Sequence, residues 1–417
     1  MTEFLRQVDL WVRDSLAKGV TNWQELVASL PGVYPEQVYG SLERQKLCQI
    51  ISLAKPNGDV TDDRSGSLIA HQLWTGGELP TPHPLDACWW FADCSIQKLL
   101  ERIRDNSSSP SRVVLLGIPT LFHYIRKKGM FERVTLIDAD SEVRSDRDAD
   151  HRYRTITADL TRDRLPGISG EIVIADPPWY LPEIRAFLWA ARHLCSKEGV
   201  ILMSVPPAGT RPGIVEEWDQ TLRWSRGLGI ELVDYQRSAL RYISPLFERN
   251  ALAAAGVQAV DANWRSGDLA VFSCIGPVAH ERPLLGGLEK WERCSVEGVR
   301  FRVRAPSLAP DLDPTLHPVA SGDIFDTVSR RDSRRNLVDV WTSGNRAFRC
   351  SGRGILLHIL RSLASNRDVE PQVPSEGFEQ IELVRATTVR LQEIVRLEVS
   401  ECSAMRETDD CLDILSG

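Results

Sequence analysis

Long apolar runs, paired cysteines, a glycine-rich loop and internal repeats are all missing from this 417-residue chain. No run approaches the ~18–20 residues that a helical bilayer span needs, which argues against an integral membrane protein. The nine cysteines stand singly, none in a C-x-x-C pair and none in a His/Cys cluster of zinc spacing. Neither a disulfide scaffold nor a zinc module is therefore expected. Basic residues are not in excess: 50 Lys and Arg against 57 Asp and Glu leave a formal charge of −7, which speaks against a purely electrostatic grip on nucleic acid. The opening stretch, MTEFLRQVDLWVRDSLAKG, is charged throughout and lacks an apolar signal core. A cytoplasmic protein with free, mostly buried thiols is the expectation.

What is present is ordinary globular composition, 42% hydrophobic and 26% charged, with length for two or three domains. Phe4, Val8, Trp11 and Leu16 fall at roughly helical spacing. Thr21-Asn22-Trp23-Gln24 reads as a capping box with Thr21 as N-cap, and Pro35 suits the first position of a third helix. Three short helices with tight turns resemble a winged-helix or helix-turn-helix module, joined onward by a longer helix over 86–104. The polar stretch Asn106–Ser111 reads as a linker closing a first region, 1–105.

Beyond it the rhythm alternates between strand and helix. Val113–Leu116 ends in Gly117, Val134–Ile137 in Asp138, Thr155–Ala158 in Asp159, and Ile172–Ala175 in Asp176. A helix opened by Pro182 and closed at Gly199 precedes the strand Val200–Val205, and Ile230–Tyr235 with Leu269–Ile275 would finish the sheet as an edge hairpin. The alternation predicts an α/β, doubly wound, Rossmann-like domain over 112–277. An α+β accessory region follows over 278–417. It holds a half-exposed strand at Val299–Arg304, the basic run 330–335, and a long helix over 376–401 whose Val384, Thr388, Leu391 and Val395 form a narrow seam, open to a homodimer but commoner as internal packing.

The chemistry-bearing feature is strand, then Asp176-Pro177-Pro178-Trp179, then helix. Ligands of doubly wound sheets sit beyond the carboxyl ends of the strands. Two prolines stiffen the backbone there and remove two N–H donors, so the Asp176 carboxylate and the neighbouring carbonyls make an acceptor-rich rim. Such a rim holds a neutral amine by its N–H groups and leaves its lone pair for attack, with the Trp179 ring as a flat apolar face for a base or an alkyl amine. The alternative is a plain tight turn ending a strand.

D-P-P-[FWY] after the fourth strand resembles the signature of S-adenosylmethionine-dependent amino-methyltransferases, which methylate exocyclic base amines or protein nitrogens. VVLLGIPTLFHYI, VTLIDAD and EIVIADPPWYLPEI are similar to the branch that holds adenine methyltransferases and an elongation-factor lysine methyltransferase. The resemblance covers Arg112–Pro207. A second resemblance is to branched-chain polyamine synthases, which place a winged-helix module before a Rossmann-like domain with the same motif and transfer aminopropyl groups. Their three aspartates after the first glycine are replaced here by Ile118-Pro119-Thr120, so methyl transfer is favoured.

The resemblance implies S-adenosylmethionine as cofactor, held around Gly117, Pro119, Asp138 and Asp159. Gly117 would permit close backbone approach, Asp138 (or Asp140) would accept the ribose hydroxyls, and Asp159 would accept from the adenine amine. Ordinary capping roles compete for each acid. Asp176, Pro177, Pro178 and Trp179 are the catalytic candidates, with no metal required; Tyr180, Tyr242 and Phe247 could line the acceptor pocket or simply anchor a core. The Trp341–Arg346 turn and the 330–335 arginines read as a polar turn and a solvated loop, and His123 as structural. Nucleic acid or protein is the expected acceptor; aminopropyl transfer and a non-catalytic nucleic-acid-binding scaffold are the competing readings.

Overall fold

The computed structural model describes residues 2–52, 68–86, 88–106, 112–143, 150–257, 260–283, 285–286, 290–306, 313–367 and 378–414. The chain forms two compact units, the first from 1–80, 89–244 and 260–286, the second from 81–88, 245–259 and 287–417.

The first unit opens with α1 (Glu3–Ala17), α2 (Trp23–Ala28), α3 (Pro35–Gln45) and α4 (Leu68–Thr75). Its sheet contains β1 (Trp90–Phe91), β2 (Val113–Leu116), β3 (Val134–Asp138), β4 (Tyr153–Thr157), β5 (Gly170–Ala175), β6 (Cys195–Val205), β7 (Ile230–Ile243) and β8 (Arg265–Cys274). Helices α5 (Asp93–Asp105), α6 (Pro119–Lys128), α7 (Leu181–Leu194) and α8 (Ile214–Ser225) complete it. The strand order is β1-β7-β8-β6-β5-β2-β3-β4. From β4 to β6 the pairing is parallel, whereas β8 lies antiparallel between β6 and β7. Strand β2 is buried at every position, as expected of a parallel strand covered on both faces. One core forms under α5 and α6, the other under α7 and α8. The order reverses at β2, which lies between β3 and β5, so a crevice opens beyond the carboxyl ends of those strands.

Several local expectations are corrected. The cap of α2 is Asn22, not Thr21: its Oδ1 accepts from the Gln24 and Glu25 amides at 2.9 and 3.3 Å. The Gln24 Oε1 accepts from the Asp261 amide at 2.7 Å. The helix drawn over 86–104 starts only at Asp93, because Trp90 and Phe91 pair with Ile243 and Tyr242 as strand β1. Strands β7 and β8 do pair, but β1 flanks β7, so their hairpin is not the edge. Helix α7 stops at Leu194, and β6 begins five residues earlier than Val200, with its register shifting against β5 near Gly170. Three short helices are present at the N-terminus; of the stretch Asn106–Ser111 read as a linker, Asn106 caps α5 and 107–111 lie outside the described residues.

The N-terminal helices pack closely within this unit. Gly32 has φ +82°, and a Cβ there would meet Thr210 Oγ1 at 2.8 Å; a Cβ on Gly209 would meet the Pro31 carbonyl at 2.6 Å. Tyr34 stands edge-on to Trp264, ring centroids 5.6 Å apart.

The second unit contains α9 (Leu246–Ala254), β9 (Trp291–Val296), β10 (Val299–Arg304), β11 (His317–Pro318), β12 (Val340–Thr342), β13 (Ala347–Arg349), α10 (Arg353–Ala364) and α11 (Phe378–Ile414). Its five-stranded antiparallel sheet runs β11-β13-β12-β10-β9. Strand β10 is not half-exposed. Arg300 and Arg302 are only 1% and 2% exposed, and both reach Asp86, at 3.2 and 2.7 Å. Ion pairing therefore buries the face that alternation assigned to solvent. In α11, Val384, Leu391 and Val395 join the core of this unit, the internal packing that its seam allowed. The polar Trp341–Arg346 turn is buried. Glu398 of α11, 0% exposed, accepts from the Thr342 and Ser343 hydroxyls and the Gly344 amide and pairs with Arg346. In the basic run, Arg334 pairs with Asp326 and Asp332, and Arg335 lies over Trp341.

Candidate functional site

Asp176 leaves β5 on the carboxyl edge of the sheet. Its amide donates to the Leu116 carbonyl at 3.0 Å, tying the loop to the end of β2. After the two prolines, the Tyr180 amide closes onto the Pro178 carbonyl at 2.7 Å, and Tyr180 becomes the N-cap of α7. The carboxylate is thus held in a short, stiff strand-to-helix turn.

Three side chains from other positions converge on it. Tyr242, near the carboxyl end of β7, donates its hydroxyl to Asp176 Oδ1 at 2.7 Å. Ser204, near the end of β6, hydrogen-bonds the Tyr242 hydroxyl, and the Trp179 indole N–H donates to Ser204 Oγ at 3.3 Å. Strand β7 is antiparallel to β8 and β8 to β6, so the ends of β5, β6 and β7 meet on one edge. The Trp179 ring stands edge-on to Tyr242, centroids 5.5 Å apart at 83°, and Phe91 packs on Tyr242 at 4.8 Å. Arg265, cross-strand from Tyr242, lies over the Trp89 and Trp264 rings.

Burial pushes the Asp176 carboxyl up from 3.8 to about 7, while the hydrogen bond from Tyr242 and the nearby Ser204 hydroxyl hold it down. Burial, reinforced by the charge of Asp176, raises Tyr242 well above its ordinary value, so it remains a neutral donor. The result is a carboxylate with a fixed outline, able to accept N–H bonds from a bound amine and to face the positive charge that develops on it.

On the cofactor side, Gly117 has φ +70°, and a Cβ there would lie 3.3 Å from the Asp176 carbonyl and 3.4 Å from the Phe187 ring. Only glycine takes this conformation without strain. Pro119 opens α6 just beyond it. Asp138 ends β3 on the carboxyl edge of the sheet, and its Oδ1 accepts from the Asp140 amide at 2.8 Å. A bare glycine turn beside an acid at the switch point fits a nucleoside-bearing cofactor. Asp159 makes the equivalent amide contact, to Thr161, and has two further partners: the Thr161 hydroxyl on Oδ1 and Arg162 at 3.4 Å from Oδ2. Those contacts are those of a turn-capping acid.

The structure therefore joins Tyr242 directly to Asp176 and brings Trp179 against Tyr242, with Gly117 and Asp138 on other strand ends of the same edge. The Tyr180 ring lies under Arg211 at 5.3 Å. Phe247 is fully buried in α9, within the second unit. His123 is buried and held down to about 4 by burial, consistent with a structural role. Sequence reading missed Ser204 and Gly267. Ser204 is the polar residue closing an otherwise apolar strand, a signal available in Ile201–Val205. Gly267 carried no local signal: only the fold shows that a Cβ there would stand 3.0 Å from Trp179 and 3.1 Å from Tyr242. A separate cavity of about 610 Å³ in the same unit is lined by Trp11, Pro207, Trp218, Tyr235 and Asp268 among others.

Residues 86–211 match the family described as "Probable N6-adenine methyltransferase". No curated protein matches the chain. Among solved structures, a variant of the branched-chain polyamine synthase from Thermus thermophilus is similar with a TM-score of 0.53, and the parent enzyme with 0.51. Each is 13% identical over 67% of this chain and 90% of the other, and both were solved with N4-aminopropylspermidine and 5'-methylthioadenosine. A ribosomal protein L11 methylase from Lactobacillus delbrueckii subsp. bulgaricus is 9% identical over 45% of this chain and 82% of its own, with a TM-score of 0.31, too slight a likeness to argue from.

Proposed function

Because residues 86–211 carry a methyltransferase-family domain on a Rossmann-like sheet, an enzyme class that draws its methyl group from S-adenosylmethionine, we propose that the protein methylates an exocyclic amino group of adenine type in nucleic acid. The observation that carries this reading is the Asp176 carboxylate, fixed by Tyr242 on a Pro-Pro turn beside the Gly117 loop. The family description points to the adenine amine in particular.

Gly117 and Asp138 would hold the cofactor, the first by backbone proximity and the second by accepting hydroxyl groups. When bound, S-adenosylmethionine supplies an electrophilic methyl on a sulfonium. Asp176 accepts an N–H of the amine, which keeps the nitrogen lone pair directed outward. As the nitrogen took up the methyl, positive charge would grow on it, and Asp176 would stabilise that charge in a low-dielectric setting. Fixing amine and methyl in near-attack geometry supplies much of the remaining acceleration. The product ammonium then releases its proton to solvent.

The test is transfer of labelled methyl from S-adenosylmethionine to adenine-containing DNA and RNA oligonucleotides, with hydrolysis and mass spectrometry of the nucleosides. N6-methyladenine formed by the wild type and lost in Asp176→Ala supports the reading. Labelled lysine in protein substrates, with unlabelled oligonucleotides, would move the acceptor to a protein side chain. Aminopropyl transfer to a polyamine is the alternative; it fits the fold likeness to the polyamine synthases but not the Ile118-Pro119-Thr120 sequence.

A further inference from the structure

The contacts around Asp176 have a direction that the individual bonds do not reveal. An indole nitrogen can only donate. Trp179 Nε1 donates to Ser204 Oγ at 3.3 Å, and the Tyr242 hydroxyl donates its one proton to the Asp176 carboxylate at 2.7 Å. With that proton engaged by Asp176, the bond between Ser204 and Tyr242 is made by the serine proton, and Tyr242 accepts there. The chain therefore runs one way, Trp179 to Ser204 to Tyr242 to Asp176, and successive hydrogen bonds polarise one another.

We propose that Ser204 and the indole N–H of Trp179 are positioning groups: they orient the Tyr242 hydroxyl toward Asp176 and so keep that carboxyl an acceptor, oriented for an incoming amine. The inference rests on the reading of Asp176 as the amine-facing group. Trp179 then serves through its N–H edge, a role distinct from stacking its face on a base. Several features agree with an assembled device. Ser204 is buried and Gly267 leaves the room in which Trp179, Tyr242 and Ser204 approach one another; a Cβ on Gly267 would stand 3.0, 3.1 and 3.4 Å from them. The titratable and charged groups around the carboxyl are Tyr242 itself and, across the β7–β8 pair, Arg265.

The experiment follows the Asp176 carboxyl directly, by NMR titration of the ¹³C-aspartate-labelled full chain, with Asp176→Asn assigning the signal. It needs neither cofactor nor acceptor, so it stands even if Asp176→Ala proves active in methyl transfer and overturns the proposed function. Ser204→Ala and Trp179→Phe, which keeps an aromatic ring but loses the N–H, should each move the midpoint up by about half to one pH unit; a full unit is a tenfold change in proton affinity. Ser204→Thr, which retains a hydroxyl, should leave it in place. The double variant should shift no further than Ser204→Ala alone. If Ser204→Ala does not fold, Trp179→Phe decides by itself. An unmoved midpoint in Trp179→Phe would overturn the proposal, as would equal shifts in Ser204→Thr and Ser204→Ala.

Discussion

Gly267 lies so close to Trp179 that a Cβ at position 267 would sit 3.0 Å from the indole Cζ2, tight enough that the neighbour must give by a few tenths of an ångström. Gly267→Ala should therefore displace the indole and lower the melting temperature. Overpacking a buried site is expected to cost about 1–3 kcal/mol. Thermal unfolding checks the stability, and tryptophan fluorescence reports the ring; an unchanged emission spectrum would show that the strands had moved instead.

Asp176 also sets a pH dependence of stability. Its folded-state value is raised from 3.8 to about 7, so between those limits the folded protein holds a proton that the unfolded chain has released. Stability contributed by this group is thus complete below about pH 4 and lost as pH rises toward 7. Asp176→Asn removes the titration and retains an oxygen to accept from Tyr242. Its stability relative to wild type should rise from pH 4 to pH 8 by on the order of 2–4 kcal/mol. Denaturant melts at the two pH values measure it. The same variant should lose methyl transfer on the order of 10²–10³-fold.

Asp138 is the place to test the cofactor. Calorimetry with S-adenosylmethionine or its demethylated product should show weaker binding in Asp138→Ala than in wild type, by about 1–3 kcal/mol if a hydroxyl contact to a charged acceptor is lost. Asp159→Ala should bind nearly as wild type, because its carboxylate is engaged by Thr161 and Arg162. Equal affinity in the wild type and Asp138→Ala would remove Asp138 from the site.

A chain shortened to begin at Ser111 should be insoluble. It would lack β1 and α5, and with them Phe91, Ile96, Leu99, Leu100 and Ile103 of the core over one sheet face. Each large apolar side chain removed from a packed core costs about 2–5 kcal/mol, so their joint loss exceeds what a domain of this size has in reserve. A soluble fragment with native-like circular dichroism would show that the N-terminal region is dispensable for the fold.

The central strands were legible in the sequence because parallel strands buried on both faces leave continuous apolar runs, and their ends were marked by Gly117, Asp138 and Asp176. β1 was illegible: two residues carry no period, and only pairing with β7 defines them. Strand β10 misled because Arg300 and Arg302 alternate as surface residues do, while Asp86, remote in sequence, neutralises them inside. At the site, Asp176 was found from its motif. Tyr242 was flagged only as a loop aromatic, since its bond to Asp176 depends on a register set across intervening strands.

Gly117 and the Asp176 carbonyl are near neighbours, because β2 and β5 pair directly and their terminal loops leave the sheet side by side. On the proposed function, the loop that faces the methyl donor and the loop that faces the acceptor thus lie side by side. A side chain added at position 117 could not act on one substrate alone. Kinetically, a single lesion there would raise the KM of both substrates together, whereas changes at Asp138 or Tyr242 would separate them.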